Sequence, residues 1–270
     1  MSPMTNNKAL VFMDIDDTLV NDNQQISDFT KKVIQQAQEK AIFYVATGRM
    51  FASAQVIADD INAQVVASNG GIYQIHDQIF QHTLGANNLT AIYRVLEANN
   101  LSAFFFSDHQ VFYNNNLPGY FKHSSNNRIA SPDPNNYIQA NLPTVLKHEQ
   151  EIINGIIIED HDLTKLAPAK KQLQTTTDLN VSSSFKNNLE LIPNGVSKAT
   201  AIKQIQAQYQ ITPEQTFTFG DGENDIEMFK TSKYSVAMGN ANELVKSHAH
   251  FETDRYTNDG VAKFIKKYLL

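Results

Sequence analysis

Short apolar runs alternate with amphipathic stretches through the first part of the chain, and each run stops at a polar or small residue. Residues 8–14 read KALVFMD, an apolar run closed by a carboxylate. A strand buried on both faces of a parallel sheet has this pattern. Ser27 and Asp28 are cap-type residues, and Val33, Ile34 and Ala37 follow at helical spacing, so a helix is predicted to about residue 40. IFYVA (42–46) predicts a second strand, closed by Thr47-Gly48-Arg49. A helix over 51–61 and a strand over 65–67 follow, the latter closed by Ser68-Asn69-Gly70-Gly71. Strands and helices in this rhythm predict βαβ units and a parallel sheet.

The middle of the chain has a different texture. From about 83 to 188 it is rich in Asn, with predicted helices at 89–98 and 163–175 and strands at 103–107, 111–114, 154–159 and 181–185. Residues 124–143 are polar and contain Pro132, Pro134 and Pro143, which predicts mostly loop. The doubly wound rhythm then resumes: helix 197–208, strand 216–219, helix 225–230, strand 234–238 and a closing helix over 260–268. The expected architecture is α/β, a Rossmann-like doubly wound parallel-sheet core formed by 1–82 and 189–270, with residues 83–188 as an inserted α+β domain.

Composition narrows the function classes. Hydrophobic residues make up 41% and charged residues 19%, as in ordinary globular proteins. A net charge of −6 argues against nucleic acid or an anionic membrane as the main partner, while leaving open a small phosphorylated molecule held by a local cation. Without cysteine, disulfides, thiolate catalysis and Cys-based zinc sites are excluded. The first residues lack the basic and apolar regions of a secretory signal. No apolar run approaches the roughly 20 residues of a membrane helix, so a cytoplasmic location is expected.

Candidate chemistry gathers where predicted strands end, the edge at which open α/β sheets bind ligands. Asp14 and Asp16 close the first strand, and in an extended chain residues two apart share a side. Such a pair serves as nucleophile or metal ligand plus general acid or base; an acidic turn facing water has the same residues. Thr47 and Gly48 can form a small anion cradle or simply a capped turn. Asp221, Asn224 and Asp225 lie in GDGEND (220–225), whose acidic density suits a hard cation. Lys198 opens a helix, where its charge opposes the dipole; a bound phosphate would explain it, and so would solvation. Asp14, Asp16, Asp221 and Asp225 in one cavity, against one lysine, would repel a phosphate unless a divalent metal were present. The set therefore predicts dependence on Mg²⁺.

The segments FMDIDDTL (12–19), ATGR (46–49), SNGG (68–71), NGVSK (194–198) and GDGENDIEMF (220–229) resemble the haloacid dehalogenase superfamily, in particular its Cof-type phosphatases. VAMGNANELVKSHA (236–249) and NDGVAKFI (258–265) are similar to the same group. The resemblance implies a Mg²⁺-dependent phosphatase acting on a small phosphate monoester, such as a sugar or cofactor phosphate. It implies Asp14 as the nucleophile that becomes an aspartyl-phosphate, and Asp16 as the acid and base, its backbone carbonyl also facing the metal. Asp14 and Asp221 would be metal ligands, with Asp225 a ligand or a support. Thr47, Gly48, Lys198 and Asn224 would bind phosphate. The inserted domain would be a cap that selects the substrate, with Tyr120, Lys122, His123, Arg128, Asn187 and Asn188 as candidates that equally suit a solvated surface. Two other functions are compatible with the motifs: a phosphomutase on the same scaffold, and a non-catalytic phosphate-binding regulatory protein.

Overall fold

The opening apolar run becomes β1 (Ala9–Met13), buried at every position, in a computed structural model that describes residues 8–115, 134–183 and 185–270. In chain order follow α1 (Asp28–Ala37), β2 (Ala41–Ala46), α2 (Phe51–Asp59), β3 (Gln64–Ala67), β4 (Ile72–Ile75) and β5 (Gln78–Gln81). The middle holds α3 (Gly85–Asn99), β6 (Ser102–Phe106), β7 (Val111–Tyr113), β8 (Tyr137–Gln139), α4 (Leu142–Lys147), β9 (Asn154–Ile158), α5 (Leu166–Thr176), β10 (Leu179–Ser182) and β11 (Asn188–Pro193). The chain closes with α6 (Lys198–Tyr209), β12 (Thr216–Gly220), α7 (Ile226–Phe229), β13 (Tyr234–Ala237), α8 (Glu243–Lys246), β14 (Phe251–Glu252) and α9 (Gly260–Tyr268).

These elements fall into two units. The first takes the described residues up to Gly48, then Ala54–Phe80 and Ser197–Leu270; the second takes Arg49–Ser53 and the described residues of Gln81–Val196. The expected return to the core at residue 189 falls inside β11. That strand pairs with β9 and β10, so the second unit runs on to Val196.

The sheet of the first unit has the order β14-β13-β12-β1-β2-β3-β4-β5. β1 is central, with β2 and β12 parallel on either side. The chain moves outward through β2 and β3 on one side and later through β13 and β14 on the other, so β1 and β12 flank the switch point where such sheets bind ligands. Both faces are covered. Leu10, Phe12, Tyr44, Ala46 and Val66 pack against Ile202 and Ile205 of α6 and Phe229 of α7. On the opposite face Phe219 meets Phe264 of α9 edge to face, at 5.6 Å between centroids, and α1 packs beside α9. The fold class is therefore the doubly wound α/β arrangement that the apolar runs predict.

Three differences from the sequence expectation have local causes. β4 and β5 were not predicted, and β5 (QIFQ) is exposed throughout, so burial leaves no pattern in it. The expected loop over 124–143 is partly regular: within the described residues it contains β8 and the start of α4, which Asn141 caps by accepting from Thr144 N. Of the proposed cap residues, Tyr120, Lys122, His123 and Arg128 lie outside the described residues. Asn187 donates to Asp160 Oδ1 at 2.7 Å. Asn188 is buried in β11, and its side chain accepts from Phe185 N, which gives it a structural task.

The second unit builds its own six-stranded sheet, β10-β11-β9-β6-β7-β8. Leu89, Ile92 and Leu96 of α3 and Ala169 and Leu173 of α5 cover one face of it, against Ala103, Phe105 and Ile157. No helix among the described residues is long and apolar enough to cross a membrane.

The turn from β3 to β4 fixes the start of α6. Ser68, Asn69 and Gly70 have φ of 50°, 52° and 93°, a left-handed run that folds the chain back. A Cβ on Gly70 would lie 2.2 Å from the Ser197 carbonyl oxygen. Gly70→Ala combines a disfavoured φ with a backbone clash and is expected to cost about 3 kcal/mol, measured by urea denaturation.

Candidate active site

Parallel pairing carries the chemistry-bearing residues to one edge. Asp14 follows the last residue of β1, and its N–H donates to Phe219 O at 2.9 Å, extending the pairing of β1 with β12. Asp221 follows the last residue of β12. Thr47 follows β2, donating from its N–H to Val66 O and accepting at its carbonyl from Asn69 N. Lys198 is the first residue of α6, whose N-cap Ser197 shares a reciprocal capping box with Thr200.

Lys198 is the centre of the cluster. It is 2% exposed, and its Nζ donates to Asp14 Oδ1 at 2.6 Å and to Asp225 Oδ1 at 2.7 Å. This ion pairing explains a lysine placed against a helix dipole. Asp225 is fully buried. Its other oxygen accepts from the N–H groups of Asp221 and Gly222, each at 3.1 Å. Asp225 thus holds both the lysine and the loop that presents Asp221. The loop closes this tightly because residue 220 is glycine: a Cβ there would sit 2.3 Å from Asp225 Oδ2.

Asp221 accepts from Thr18 Oγ1 at 3.1 Å on one oxygen and from Asn240 Nδ2 at 3.2 Å on the other. Carboxylate oxygens of Asp14, Asp221 and Asp225 lie within 4.8 Å of one another. Burial pushes the Asp14 carboxyl up, Lys198 opposes this, and the charges of Asp225 and Asp221 add to it. Burial, then the charge of Asp225, pushes Asp221 up to about 6. The two anions beside it hold Lys198 above the ordinary lysine range despite desolvation. Three crowded carboxylates against one ammonium leave an excess of negative charge. All-oxygen donors with that excess fit a hard divalent cation of the Mg²⁺ kind.

The remaining expected residues are placed less uniformly. β1 ends at Met13, so Asp16 lies in the following turn, half-buried, rather than on an extended strand. The alternation argument for Asp16 therefore does not hold, because the chain bends at Ile15 before Asp16 is reached. Gly48 is half-buried beside the side chain of Asn69. Asn224 is exposed, with a long 3.5 Å contact to Asn69 Oδ1. Thr18 and Asn240 were not singled out from sequence, although both lie inside quoted motifs; only the folded geometry shows that their polar groups meet Asp221.

A family profile described as haloacid dehalogenase-like hydrolase matches residues 11–265. The chain belongs to the haloacid dehalogenase-like hydrolases. Two curated relatives from Bacillus subtilis carry the name 5-amino-6-(5-phospho-D-ribitylamino)uracil phosphatase. YcsE is 28% identical over 265 residues, spanning 97% of this chain and 96% of its own. YwtE is 27% identical over 284 residues, spanning 96% and 97%. A solved haloacid dehalogenase-like hydrolase from Bacteroides thetaiotaomicron superposes with a TM-score of 0.81 at 26% identity, covering 96% of this chain and 99% of that one.

The raised carboxyl of Asp221 gives this hydrolase a testable pH signature. Its folded value of about 6 lies above the ordinary 3.8, so between these the folded chain holds a proton that the unfolded chain has released. Stability in the presence of a chelator should therefore fall as pH rises from about 4 to about 6. Asp221→Asn is expected to reduce the slope there, leaving the share that comes from the raised Asp14 carboxyl, read as Tm against pH by calorimetry.

Proposed function

We propose that this hydrolase is a Mg²⁺-dependent phosphatase that cleaves a small-molecule phosphate monoester through an aspartyl-phosphate on Asp14. The observation that carries the reading is the Lys198 bridge between Asp14 and Asp225, with Asp221 alongside. It joins a buried nucleophile candidate, an anion-binding cation and an oxygen-rich cation site at one sheet edge.

In this reading Asp14, the backbone carbonyl of Asp16 and Asp221 hold the metal, with Asp225 beside them. The metal, when bound, neutralises charge on the transferring phosphoryl oxygens. Asp14 forms the bond to phosphorus through one oxygen, while Lys198 at Oδ1 fixes the plane of its carboxylate. The bond from phosphorus to the ester oxygen breaks, and Asp16 delivers a proton to that oxygen. Water then attacks the phosphorus of the aspartyl-phosphate and gives a proton to Asp16; phosphate leaves and the Asp14 carboxylate is restored. Lys198, Thr47 and Gly48 bind the phosphoryl oxygens, with Asn224 at the exposed rim. Asp225 acts chiefly as a support, because its Oδ2 already accepts two N–H groups and its Oδ1 is paired with the Lys198 ammonium.

The second unit is assigned the choice of substrate. The names of the two Bacillus relatives support a phosphorylated sugar alcohol attached to a heterocycle as the substrate class. The alternative of a phosphomutase predicts transfer to a sugar without release of phosphate, so product analysis separates it.

The test is hydrolysis of a chromogenic aryl phosphate with and without Mg²⁺, followed by a panel of metabolites that includes 5-amino-6-(5-phospho-D-ribitylamino)uracil. Phosphate release that requires Mg²⁺ is expected. Asp14→Asn should lower kcat by at least about 10³-fold while the protein stays folded. A variant that keeps near wild-type turnover would sink the nucleophile assignment.

A further inference from the structure

Two sequence patterns near the end of the chain have no part in the chemistry above: VAMGNANELVKSHA (236–249) and NDGVAKFI (258–265). The first contains Asn240. The second closes a loop that returns to it: Gly239 N donates to Asp254 O, and Gly260 N donates to Arg255 O, both at 3.3 Å.

The side chain of Asn240 has three polar contacts. Nδ2 donates to the Asp17 carbonyl at 2.8 Å and to Asp221 Oδ2 at 3.2 Å, and Oδ1 accepts from Tyr256 N at 3.3 Å. Two acceptors on one end and a backbone donor on the other fix which end is nitrogen. Aspartate lacks the two donors, and leucine of similar shape lacks all three groups. The two acceptors belong to the loops after β1 and β12, which are 204 residues apart in sequence (17 to 221) and adjacent at the switch point.

We propose that Asn240 is a positioning residue that clamps these two acid-bearing loops together and sets the plane of the Asp221 carboxylate for the metal. The inference rests on the metal-site reading given under Proposed function. A carboxylate on a single side chain rotates freely about its last bond. One donor on each oxygen, Thr18 on Oδ1 and Asn240 on Oδ2, removes that freedom and leaves a lone pair on each oxygen for a cation. The contact to the Asp17 carbonyl does the same for the turn: Asp17 is a non-glycine residue in left-handed backbone, and the half-buried Asn240 amide helps hold that conformation. Groups that orient metal ligands change metal affinity by about 10–100-fold when removed.

The experiment measures Mg²⁺ binding by isothermal titration calorimetry without substrate, alongside circular dichroism and kcat across a Mg²⁺ series. Asn240→Ala is expected to bind Mg²⁺ about 10-fold more weakly, with kcat recovering most of its wild-type value at saturating Mg²⁺. Asn240→Leu, which fills the space without the amide, should show the same loss and guards against a cavity effect. Tyr256→Phe removes only the hydroxyl bond to Asp22 Oδ1 and keeps the backbone donor to Asn240. It should bind Mg²⁺ as the wild type does, even with a lower Tm. Wild-type Mg²⁺ affinity in folded Asn240→Ala and Asn240→Leu would overturn the positioning role alone. A wild-type protein that takes up no Mg²⁺ would overturn the metal reading and this inference with it.

Discussion

Lys198 lies between two buried carboxylates, 2.6 Å from Asp14 and 2.7 Å from Asp225, and much of the first unit is arranged so that this contact can exist. Losing one member of a buried ion pair typically costs about 3–5 kcal/mol, because the group left behind is charged and dry. Such a cluster persists only where its geometry is enforced from several sides. Ser197 caps the helix that begins at the lysine, and Gly70 lets the β3–β4 turn touch that helix start backbone to backbone. Gly220 gives Asp225 the space to bond two N–H groups while it holds the ammonium. Helix start, hairpin turn and acidic loop are thereby set by one another.

The charge balance of this cluster also separates structure from activity. A fully neutral network would stabilise the fold more and do less. Here one ammonium faces three carboxylates within 4.8 Å of one another, and burial raises the carboxyls of Asp14 and Asp221. The uncompensated charge is a local conflict inside an otherwise consistent core, as functional sites often show. The surrounding strands tolerate it because β1 and β12 are buried along their full lengths and bonded on both edges.

Much of this was legible in the sequence, for identifiable reasons. The parallel strands are continuous apolar runs, and Asp14, Thr47 and Asp221 each stand one residue past a strand end, so position in the chain gives position at the sheet edge. Lys198 was legible as an anomaly, a cation where the helix dipole disfavours one. The alternation expected for Asp16 fails because the extended strand stops at Met13 and the chain bends at Ile15, before Asp16 is reached. β5 carries no signal, since all four of its residues are exposed. Asn188 read as a surface amide because the backbone N–H it accepts from belongs to a turn that sequence does not announce. The contacts of Asn240 to Asp17 and Asp221 depend on three loops meeting, which no local pattern encodes.

The position of β1 at the centre of its sheet has a consequence for how the chain is made. One neighbour, β2, is synthesised soon after it, but the other, β12, begins more than 200 residues later and emerges only after the whole second unit. Throughout that interval the apolar edge of β1 is unpaired, and open strand edges invite association with other chains. During the same interval Asp14 lacks both Lys198 and Asp225, so its carboxylate remains in water and bears no cost of burial. The cluster and the sheet are completed in one late event, when the residues from Lys198 onward leave the ribosome. A nascent chain stalled before residue 216 would have neither a closed core nor a formed site, and would present a flat apolar edge to chaperones and proteases.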